Sequence, residues 1–485
     1  MFIEIFKFIG KRILELLDVL FNGTNSSKKG KYDADFLKGN ERYKLLNRSN
    51  TGVTINGTER IPLKTSLEHV LISGASGTGK TSCTVIPTIL QGKHNYIVTD
   101  LDGTIFKKTS GFLKNKKNYK IQVFNLKDVL RSAFFNVIEF CEQDDSKLKM
   151  LAQQIVVTAY PNPSSDNLYW SYGAESIIYI FLRILKYQPK KYRNLTNLRY
   201  LLQRYAQLED WVRANSSDEV WNDYLGFSSG DEKTIAGHLS SALVALDRLS
   251  DKEVSFITSK NTIDFEVFAN GGEQKSILYI IVPEEKLEFH SFLLSLFYQS
   301  LFQFIIRKKP PTPLMVILDE FSNMGRIKGF STLATSLRRY NTSLTLIVQD
   351  YEMIVAKYGV HNASAIINGS CRSKLFFPGV SIDMAEKLSR SFGKTSVQLE
   401  KDAPLSDRSL LEPSEIIQIQ DGKALFTFKN LQPLITKVVP YYKQYTLRKS
   451  SQIPAVELKE NHIKPVSLIS FTSNSNTNEK EQFTK

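Results

Sequence analysis

The chain has 485 residues, of which 42% are hydrophobic and 23% charged, a composition typical of folded globular proteins rather than disordered ones. Its 63 Lys and Arg against 49 Asp and Glu give a formal net charge of +14, which favours polyanionic partners, although a generally basic proteome would give the same excess. Its three cysteines form no CxxC or Cys/His cluster, which argues against a disulfide framework or a zinc site and suits a reducing cytosol.

Residues 1–22 predict an amphipathic helix. Charged side chains recur there every three or four residues, so they line one face and leave a wide apolar face. No uninterrupted apolar run reaches the roughly 18–20 residues that cross a bilayer. We therefore expect this helix to lie on a surface, and residues 23–64 to form a linker and N-terminal extension.

Strand and helix patterns alternate in residues 65–143. Apolar strand runs occur at His69–Ser73, Asn95–Thr99 and Lys120–Asn125. A helix is predicted at Thr81–Leu90, and Pro87 should end or kink it. This alternation predicts an α/β fold with a parallel sheet, and we take these residues as the first part of a nucleotide-binding domain.

Residues 144–255 change in character, because helical spacing dominates and strand-like runs are scarce, which predicts an inserted all-α domain. Strand-like runs return in residues 256–445, the second part of the nucleotide-binding domain. These runs are Ser276–Val282, Leu314–Leu318, Leu344–Val348 and Lys374–Phe377. Residues 446–485 are rich in Ser, Asn, Thr, Gln, Glu and Lys and are predicted to be a polar, disordered tail.

A glycine-rich loop follows the first strand with the pattern Gly-x-x-x-x-Gly-Lys-Thr. Glycines let backbone N–H groups wrap a phosphate, and the helix that follows directs its positive end at the same anion. Lys80 is expected to reach the β- and γ-phosphates of ATP, and the Thr81 hydroxyl to bind Mg²⁺. The nucleotide-binding residues predicted here are Gly74, Ala75, Ser76, Gly77, Thr78, Gly79, Lys80, Thr81 and Ser82.

An acidic pair follows the apolar run Met315–Leu318. Asp319 is placed at the end of a buried strand, where it can hold Mg²⁺, and Glu320 is placed to act as a general base toward the attacking water. The alternative is a buried strand that ends in acidic surface residues. The glycine loop elsewhere in the chain favours the catalytic interpretation.

Two more positions are candidates for a motor-type site. Gln349 ends the strand after Asp319, where its amide could contact the γ-phosphate or the attacking water. Arg338, in the intervening helix beside Arg339, could enter the site of a neighbouring subunit as an arginine finger. Taken singly, such an arginine pair is more often solvated surface.

The stretch Leu318–Gly325 resembles the Walker B signature of conjugative coupling proteins, the ATPases of type IV secretion systems. In that family a Gly-Lys-Thr loop precedes Val-Ile-Pro, as here at Val85–Pro87, and the positions of Arg338 and Gln349 match its arginine finger and sensor glutamine. The resemblance covers roughly residues 65–442. Further matching stretches are Tyr169-Trp170, Gly173–Ser176, Met384–Thr395 and Leu411–Glu415.

This resemblance implies a RecA-like P-loop nucleotide-binding domain with an inserted all-α domain, in a homo-oligomeric ring of six subunits. The ring would stand in the bacterial cytoplasm at the inner membrane and pass relaxase-bound single-stranded DNA, or effector proteins, to the type IV secretion channel. Many members begin with transmembrane helices, so membrane association here would be peripheral or through a partner. The family's Asp-Pro-Lys-Gly-Glu is replaced by Asp100–Thr104, Asp-Leu-Asp-Gly-Thr, which puts the usual Lys and Glu roles in doubt.

Two other functions stay open at this point. One is a different hexameric DNA translocase or secretion-assembly ATPase, and the other is a nucleotide-gated substrate adaptor that hydrolyses ATP slowly. Clusters of lysine and arginine at Lys107–Lys120, Arg183–Arg193 and Arg307–Lys309 could contact a nucleic-acid backbone without reading sequence, or could be solvated helix faces.

Overall fold

The computed structural model describes residues 32–141, 143–161, 165–272, 274–397 and 406–471. Its centre is a sheet of nine strands, and a separate two-stranded ribbon consists of β8 and β9. The strands in chain order are β1 Val70–Ser73, β2 Asn95–Leu101, β3 Lys120–Asn125, β4 Ser276–Val282, β5 Leu314–Leu318, β6 Thr342–Val348, β7 Ser373–Phe376, β8 Lys394–Val397, β9 Ser406–Ser409, β10 Lys423–Phe428 and β11 Leu434–Lys437.

The nine strands lie in the order β11-β10-β7-β1-β6-β5-β2-β4-β3. Seven of them, from β7 to β3, run parallel, whereas β10 and β11 form an antiparallel hairpin as the outermost two strands next to β7. Because neighbouring parallel strands end on the same side, the loops after β1, β6, β5 and β2 meet at one edge of the sheet. We call this the carboxyl edge, and the opposite side the amino edge.

Both faces of the sheet are buried, as the nearly continuous apolar strands predict. Within β5, Leu314, Val316 and Leu318 join the core on the side of the inserted domain, whereas Met315 and Ile317 face the other core. The alternation follows from the two-residue period of a strand. Each face is then covered by helices, which gives a three-layer α/β architecture.

The helices of the nucleotide-binding domain vary in length from one turn to six. The longest, Leu287–Lys308, has 22 residues and packs between the sheet and the insertion. The others are Gly39–Leu45, Leu63–Ser66, Ile86–Ile89, Thr104–Lys117, Val137–Phe140, Phe330–Leu337, Tyr351–Tyr358, Val360–Ser364, Ile382–Phe392, Pro413–Ile417 and Tyr445–Ser451.

The inserted domain is all-α in its described residues, as the sequence predicts. Its longest helix is Ser165–Leu185, and two shorter helices, Leu195–Leu202 and Glu209–Asn215, are joined by a short 3-10 turn. Side-chain caps begin several of them; Asp144 accepts from the backbone N–H of Ser146, for example. The helices are Asp145–Ala159, Ser165–Leu185, Leu195–Leu202, Glu209–Asn215, Asp218–Ser228, Glu232–Ala245 and Lys252–Ile257.

The helix after the glycine loop is irregular where Pro87 requires it. A π-helical turn at Thr81–Val85 comes first, and a single α-helical turn at Ile86–Ile89 follows. Proline has no N–H to donate, so its position near the start of the second segment removes no interior hydrogen bond. The predicted interruption of this helix is confirmed.

One helical segment, Glu284–Lys308, is long and apolar enough to cross a membrane by length and composition. In the folded protein 72% of its apolar window is buried. Leu294, Phe297 and Leu301 are among its fully buried side chains. It is therefore placed as a core helix that covers one face of the sheet. The amphipathic helix predicted at residues 1–22 lies outside the described residues.

The prediction of an unpacked tail from residue 446 does not hold for residues 446–471. After the helix Tyr445–Ser451 the chain runs as an extended strap over the nucleotide-binding domain, where Asn461 donates to the carbonyls of Leu130 and Ser132. It then reaches the all-α domain, where Ile469 is buried and Phe471 stacks on Tyr200 at 5.5 Å. A few apolar anchors and backbone hydrogen bonds order a segment whose composition is polar. Residues 472–485 lie outside the described part of the chain.

Candidate functional site

The glycine loop follows β1 at the carboxyl edge. Gly74 has a φ of 153°, and a Cβ there would lie 2.6 Å from the Cβ of Phe377, so the chain passes this point only without a side chain. Gly77 and Gly79 also have positive φ values, of 79° and 100°. The Ala75 N–H is held by the Pro378 carbonyl at 2.9 Å. The loop is thus held in a curved form by its neighbours.

Lys80 lies inside this loop. Its ammonium donates to the carbonyls of Gly74 and Ala75, the second at 2.8 Å. Burial lowers the pKa of the Lys80 ammonium, and the nearby carboxylates of Glu320 and Asp319 oppose that effect. An ammonium that donates to two neutral carbonyls is well suited to meet phosphate oxygens that approach the same loop.

Thr81 and Asp319 meet although 238 positions separate them in the chain. The Thr81 hydroxyl donates to Asp319 Oδ2 at 3.1 Å, which joins the glycine loop to the end of β5. Asp319 is 7% exposed, and burial raises the pKa of its carboxyl to about 6. The Thr81 hydroxyl and the Asp319 carboxylate are hard oxygen donors of the kind that Mg²⁺ prefers.

Glu320 adopts a backbone conformation that residues with a side chain rarely adopt. Its φ is 57°, in the left-handed region, and it is 7% exposed. The Ser322 hydroxyl donates to Glu320 Oε1 at 3.3 Å and helps to orient the carboxylate. Such strained positions persist where the surrounding structure enforces them, and they cluster at functional sites.

Gln349 follows β6, the strand between β1 and β5. Its carbonyl accepts from the Ser73 hydroxyl at 3.4 Å, and its exposed side chain lines a cavity of about 720 Å³ that Glu320 also lines. The fold therefore brings Lys80, Thr81, Asp319, Glu320 and Gln349 to one edge of the sheet. Neighbouring strands β1, β6 and β5 supply them.

Asp100 is a member of this edge that was not among the predicted site residues. It lies near the end of β2, fully buried, and its two oxygens accept from the backbone N–H groups of Ile105 at 2.8 Å and Phe106 at 2.6 Å. Burial raises the pKa of the Asp100 carboxyl to about 7, and Asp319 contributes in the same direction. Its place in the sequence, an acid that ends an apolar strand, is the same signal that identified Asp319.

Lys357 was also missed. It is in the helix Tyr351–Tyr358 that follows Gln349, it lines the same cavity, and its ammonium donates to the carbonyl of Met324 in the loop after Glu320. Burial lowers the pKa of the Lys357 ammonium to about 8. No local pattern distinguishes this lysine from others on exposed helices, so the sequence offered no signal.

Arg338 lies at the other edge. The 3-10 turn Arg338–Tyr340 precedes β6, and the Arg338 guanidinium is 3.3 Å from Glu68, which precedes β1. The whole length of the sheet therefore separates Arg338 from the glycine loop of its own chain. Its assignment as an arginine finger stays a prediction, and only a contact between subunits could bring it to a nucleotide.

The basic clusters differ in how far they are paired. Arg183 is 3% exposed and contacts Asp145, Glu219 and Asp223, and Lys186 contacts Asp145 at 2.6 Å. These two side chains stabilise the all-α domain, and we do not assign them to nucleic acid. In contrast, the helix Thr104–Lys117 exposes five lysines. They are Lys107, Lys108, Lys114, Lys116 and Lys117.

Comparison with known proteins bears on this arrangement. A family model described as type IV secretory system conjugative DNA transfer matches residues 24–469. Conjugal transfer protein TraG of Escherichia coli is 21% identical over 366 residues, which cover 69% of this chain and 56% of TraG. Protein VirD4 of Rhizobium radiobacter is 20% identical over 409 residues, which cover 79% of this chain and 58% of VirD4. The chain thus spans less than two thirds of the length of these curated relatives.

Solved structures show the same fold. The bacterial conjugative coupling protein TrwBdeltaN70, in complex with sulphate, has a TM-score of 0.61 at 16% identity, over 91% of this chain and 99% of that one. TrwB with the non-hydrolysable ATP analogue ADPNP has a TM-score of 0.62 at 17% identity, with the same coverage. TrwB with ADP and Mg²⁺ has a TM-score of 0.59 at 18% identity, over 90% and 99%. The predicted fold class, a RecA-like P-loop domain with an inserted all-α domain, is confirmed.

Proposed function

This chain belongs to the type IV secretory system conjugative DNA transfer family, and we propose that it is an ATP-hydrolysing coupling protein of a type IV secretion system. In this role it recruits relaxase-bound single-stranded DNA, or effector proteins, and drives them to the export channel. The observation that carries the ATPase proposal is the 3.1 Å contact between Thr81 Oγ1 and Asp319 Oδ2, which joins the two halves of a nucleotide site.

The glycine loop and Lys80 account for nucleotide binding. Backbone N–H groups of the curved loop face the phosphates, and Lys80 exchanges its carbonyl partners, Gly74 and Ala75, for phosphate oxygens. A charge-assisted hydrogen bond to phosphate is stronger than one to a neutral carbonyl, so this exchange favours the bound state.

Thr81 and Asp319 fit Mg²⁺ and would hold it, Asp319 through water. When bound, the ion supplies charge neutralisation at the β- and γ-phosphate oxygens. The raised pKa of Asp319 supports this assignment, because a buried carboxylate without a full counter-charge is stabilised by a cation beside it.

Glu320 is assigned as the general base that takes a proton from the attacking water. Glu320 lines the cavity at the end of β5, and its carboxylate accepts a hydrogen bond from the Ser322 hydroxyl. Gln349 lines the same cavity from β6 and orients the water or contacts the γ-phosphate. Both roles concern positions at the carboxyl edge of a single chain.

Arg338 is assigned to the site of a neighbouring subunit. It is 54% exposed at the amino edge, where it is accessible to a second copy of the chain. An arginine supplied in trans stabilises charge in the transition state and makes hydrolysis depend on assembly. We therefore propose a ring, with the six subunits that the family resemblance implies.

The cargo contact proposed for single-stranded DNA is independent of sequence. The exposed lysines of the helix Thr104–Lys117 give this helix a positively charged surface. Such a surface binds a phosphate backbone without contacting bases, and its affinity falls steeply with salt. Relaxase, effector and channel contacts are proposed on the basis of family membership.

We place the protein in the bacterial cytoplasm at the face of the inner membrane, attached in the membrane plane by residues 1–22 or through a partner. Deletion of residues 1–22 followed by cell fractionation tests the first route. A membrane pool that is unchanged by the deletion would show that attachment goes through a partner.

The test of the main proposal is ATP turnover with and without single-stranded DNA, combined with a transfer assay in cells. Lys80→Ala should abolish turnover and transfer, and Glu320→Gln should retain ATP binding but lose turnover. The proposal of an ATP-driven motor would be contradicted if single-stranded DNA did not stimulate ATP turnover and both variants still supported transfer. Transfer by Glu320→Gln but not by Lys80→Ala would instead favour the nucleotide-gated adaptor. DNA-stimulated turnover without any role in transfer would favour another translocase.

A further inference from the structure

Glu68 is a buried carboxylate at the amino edge of the sheet. Its side chain is 5% exposed and lies between two cations, with Oε1 at 3.3 Å from Arg338 and Oε2 at 2.7 Å from Lys429. The side chains of Arg338 and Lys429 are 54% and 43% exposed. A buried charge persists only with partners, so Glu68 must hold at least one of these cations against it.

The backbone around Glu68 is tied to its neighbours. The Glu68 carbonyl accepts from the N–H of Arg372 at 3.0 Å, and the Arg372 carbonyl accepts from the N–H of Lys429 at 3.1 Å. These bonds fix Glu68 and Lys429 relative to β7, the strand beside β1. The carboxylate thus has a defined position from which it can orient a long, flexible side chain.

His69, the next residue, fixes the helix that immediately precedes Arg338. Its Nδ1 accepts from the N–H of Leu344 at 3.0 Å, and its Nε2 lies 2.7 Å from the carbonyl of Ala334, four residues before Arg338. Burial lowers the pKa of His69 to about 4, so the ring is neutral at physiological pH, with Nδ1 as acceptor and Nε2–H as donor. His69 therefore bridges β6 and the helix Phe330–Leu337.

The short strand β1 connects Glu68 and His69 to the glycine loop. β1 has four residues, which span about 13 Å, and Glu68 and His69 precede it while Gly74 follows it. We propose that Glu68 is the positioning residue for Arg338: it holds one side of the guanidinium so that the exposed side presents to the nucleotide of a neighbouring subunit. This inference rests on the proposed function, in which Arg338 acts in trans.

Glu68 does not touch the nucleotide, so its effect must pass through Arg338. Without the carboxylate, Arg338 samples many rotamers, and the fraction in the productive geometry falls. The loss should appear in kcat rather than in the KM for ATP, because the contact matters in the transition state. It should also vanish when Arg338 is absent.

The experiment is a double-mutant cycle on the full chain, with ATP turnover measured in the presence of a single-stranded oligonucleotide. Glu68→Gln keeps the shape of the side chain and removes its charge. We expect it to lower kcat about tenfold, with the KM for ATP changed less than about twofold. In the Arg338→Ala background the same substitution should change kcat less than about twofold.

Two matched controls distinguish an effect on the position of Arg338 from an effect on the stability of the protein. Lys429→Met removes the other cation of the same carboxylate and should lower the melting temperature without a comparable loss of kcat. Glu386→Gln breaks the exposed Arg390–Glu386 pair, also a carboxylate–arginine contact at 3.1 Å, and should leave kcat unchanged. Equal kcat losses in Glu68→Gln and Lys429→Met would overturn the positioning role.

Glu68→Asp covers the case in which Glu68→Gln does not fold. It keeps the charge but withdraws it by one methylene, so kcat should fall by less than the amount lost in Arg338→Ala, and the cycle with Arg338→Ala should again show no further loss. A kcat loss of equal size with and without Arg338 would overturn the inference and leave the proposed function intact. An Arg338→Ala variant with normal kcat would instead contradict the finger itself.

Discussion

The two ends of β1 differ in what surrounds their charged groups. At the carboxyl edge, burial raises the pKa of the buried acids Asp319 and Asp100 to about 6 and about 7. At the amino edge, the buried acid Glu68 contacts two cations directly. At the carboxyl edge burial outweighs the favourable charge of Lys80 on Asp319, whereas at the amino edge Glu68 lies within 3.3 Å of two cations.

This difference indicates a division of labour. Under the proposed function, Mg²⁺ and phosphate would bind at the carboxyl edge and stabilise its charged groups. Under the same proposal, Glu68 at the amino edge would hold Arg338 in place for a second subunit. Four residues of β1 join the two edges, so a ring of such chains would alternate one kind of edge with the other at each interface.

The largest effect that would break this division is expected for Arg338→Ala. Removal of an arginine finger lowers kcat by about 10³–10⁵-fold in enzymes that use one in trans. Mixed with wild-type protein, the variant should inhibit more than its mole fraction explains, since each variant subunit disables its neighbour. Turnover of mixtures at several ratios measures this.

The control for that mixture is Arg339→Ala, the adjacent exposed arginine. It should leave turnover within about threefold, because surface substitutions away from specific contacts have small effects. A linear decline of turnover with the fraction of Arg338→Ala would contradict action across subunits.

A smaller effect is expected for Asp319→Asn, which tests the uncompensated acid at the carboxyl edge. The pKa of Asp319 is raised from 3.8 to about 6 in the folded state, so the ionised carboxylate destabilises the nucleotide-free protein. The stability of the wild type therefore falls as pH rises from about 4 to about 6, because the buried carboxyl of Asp319 becomes ionised over this range. At pH 7.5 without Mg²⁺, Asn at this position should therefore stabilise the protein, by at most about 3 kcal/mol.

Thermal melting of both proteins between pH 4 and pH 8 measures the difference. It should grow up to about pH 6 and then stay level, and Mg²⁺ with ATP should raise the melting temperature of the wild type far more than that of Asp319→Asn. If Asp319→Asn without ligand were less stable than the wild type throughout this range, the ionised Asp319 would already be stabilised by partners in the protein.

The same pKa predicts the pH dependence of ligand binding. Mg²⁺ requires the ionised carboxylate, and with a pKa of about 6 roughly one tenth of Asp319 is ionised at pH 5. Binding of Mg²⁺ with ATP should therefore be about tenfold weaker at pH 5 than above pH 7. Titration with a fluorescent nucleotide, in Mg²⁺ and in EDTA, checks this; a pH-independent affinity that needs Mg²⁺ would contradict the assignment of Asp319.

The smallest effect on turnover is expected away from both edges, at the strap. A Cβ on Gly111 would lie 2.0 Å from the carbonyl oxygen of Pro454, so Gly111→Ala must displace the strap. We expect a loss of about 1–3 kcal/mol in the free energy of unfolding, with turnover of the folded protein within about threefold. Melting temperature and turnover, measured on one preparation, give both values.

Gly226→Ala is the matched control, since Gly226 is also in a helix but a Cβ added there would meet no atom within 4 Å. Alanine there should stabilise by about 0.4–1 kcal/mol. If Gly111→Ala lowered turnover as strongly as a substitution at either edge, the strap would also contribute to ATP turnover. The two edges would then not account for turnover alone.

The candidate nucleotide site was predictable because its signals are local. Lys80, Thr81 and Asp319 each follow a strand in a fixed relation of apolar run and polar end, and that relation needs no knowledge of strand order. The strap and the hairpin of β10 and β11 were not predicted, since their stability depends on partners far away in the chain. Asn461, for example, has carbonyl partners more than 300 positions earlier.

The sequence by itself determined that this chain has a parallel α/β domain with a glycine loop, an acidic strand end and an all-α insertion, because apolar periodicity and turn residues act over a few positions. Only the tertiary structure decided that β6 lies between β1 and β5, which puts Gln349 beside Glu320 and Arg338 at the far edge beside Glu68. Strand order is set by packing and hydrogen bonding between distant segments, which no local pattern records.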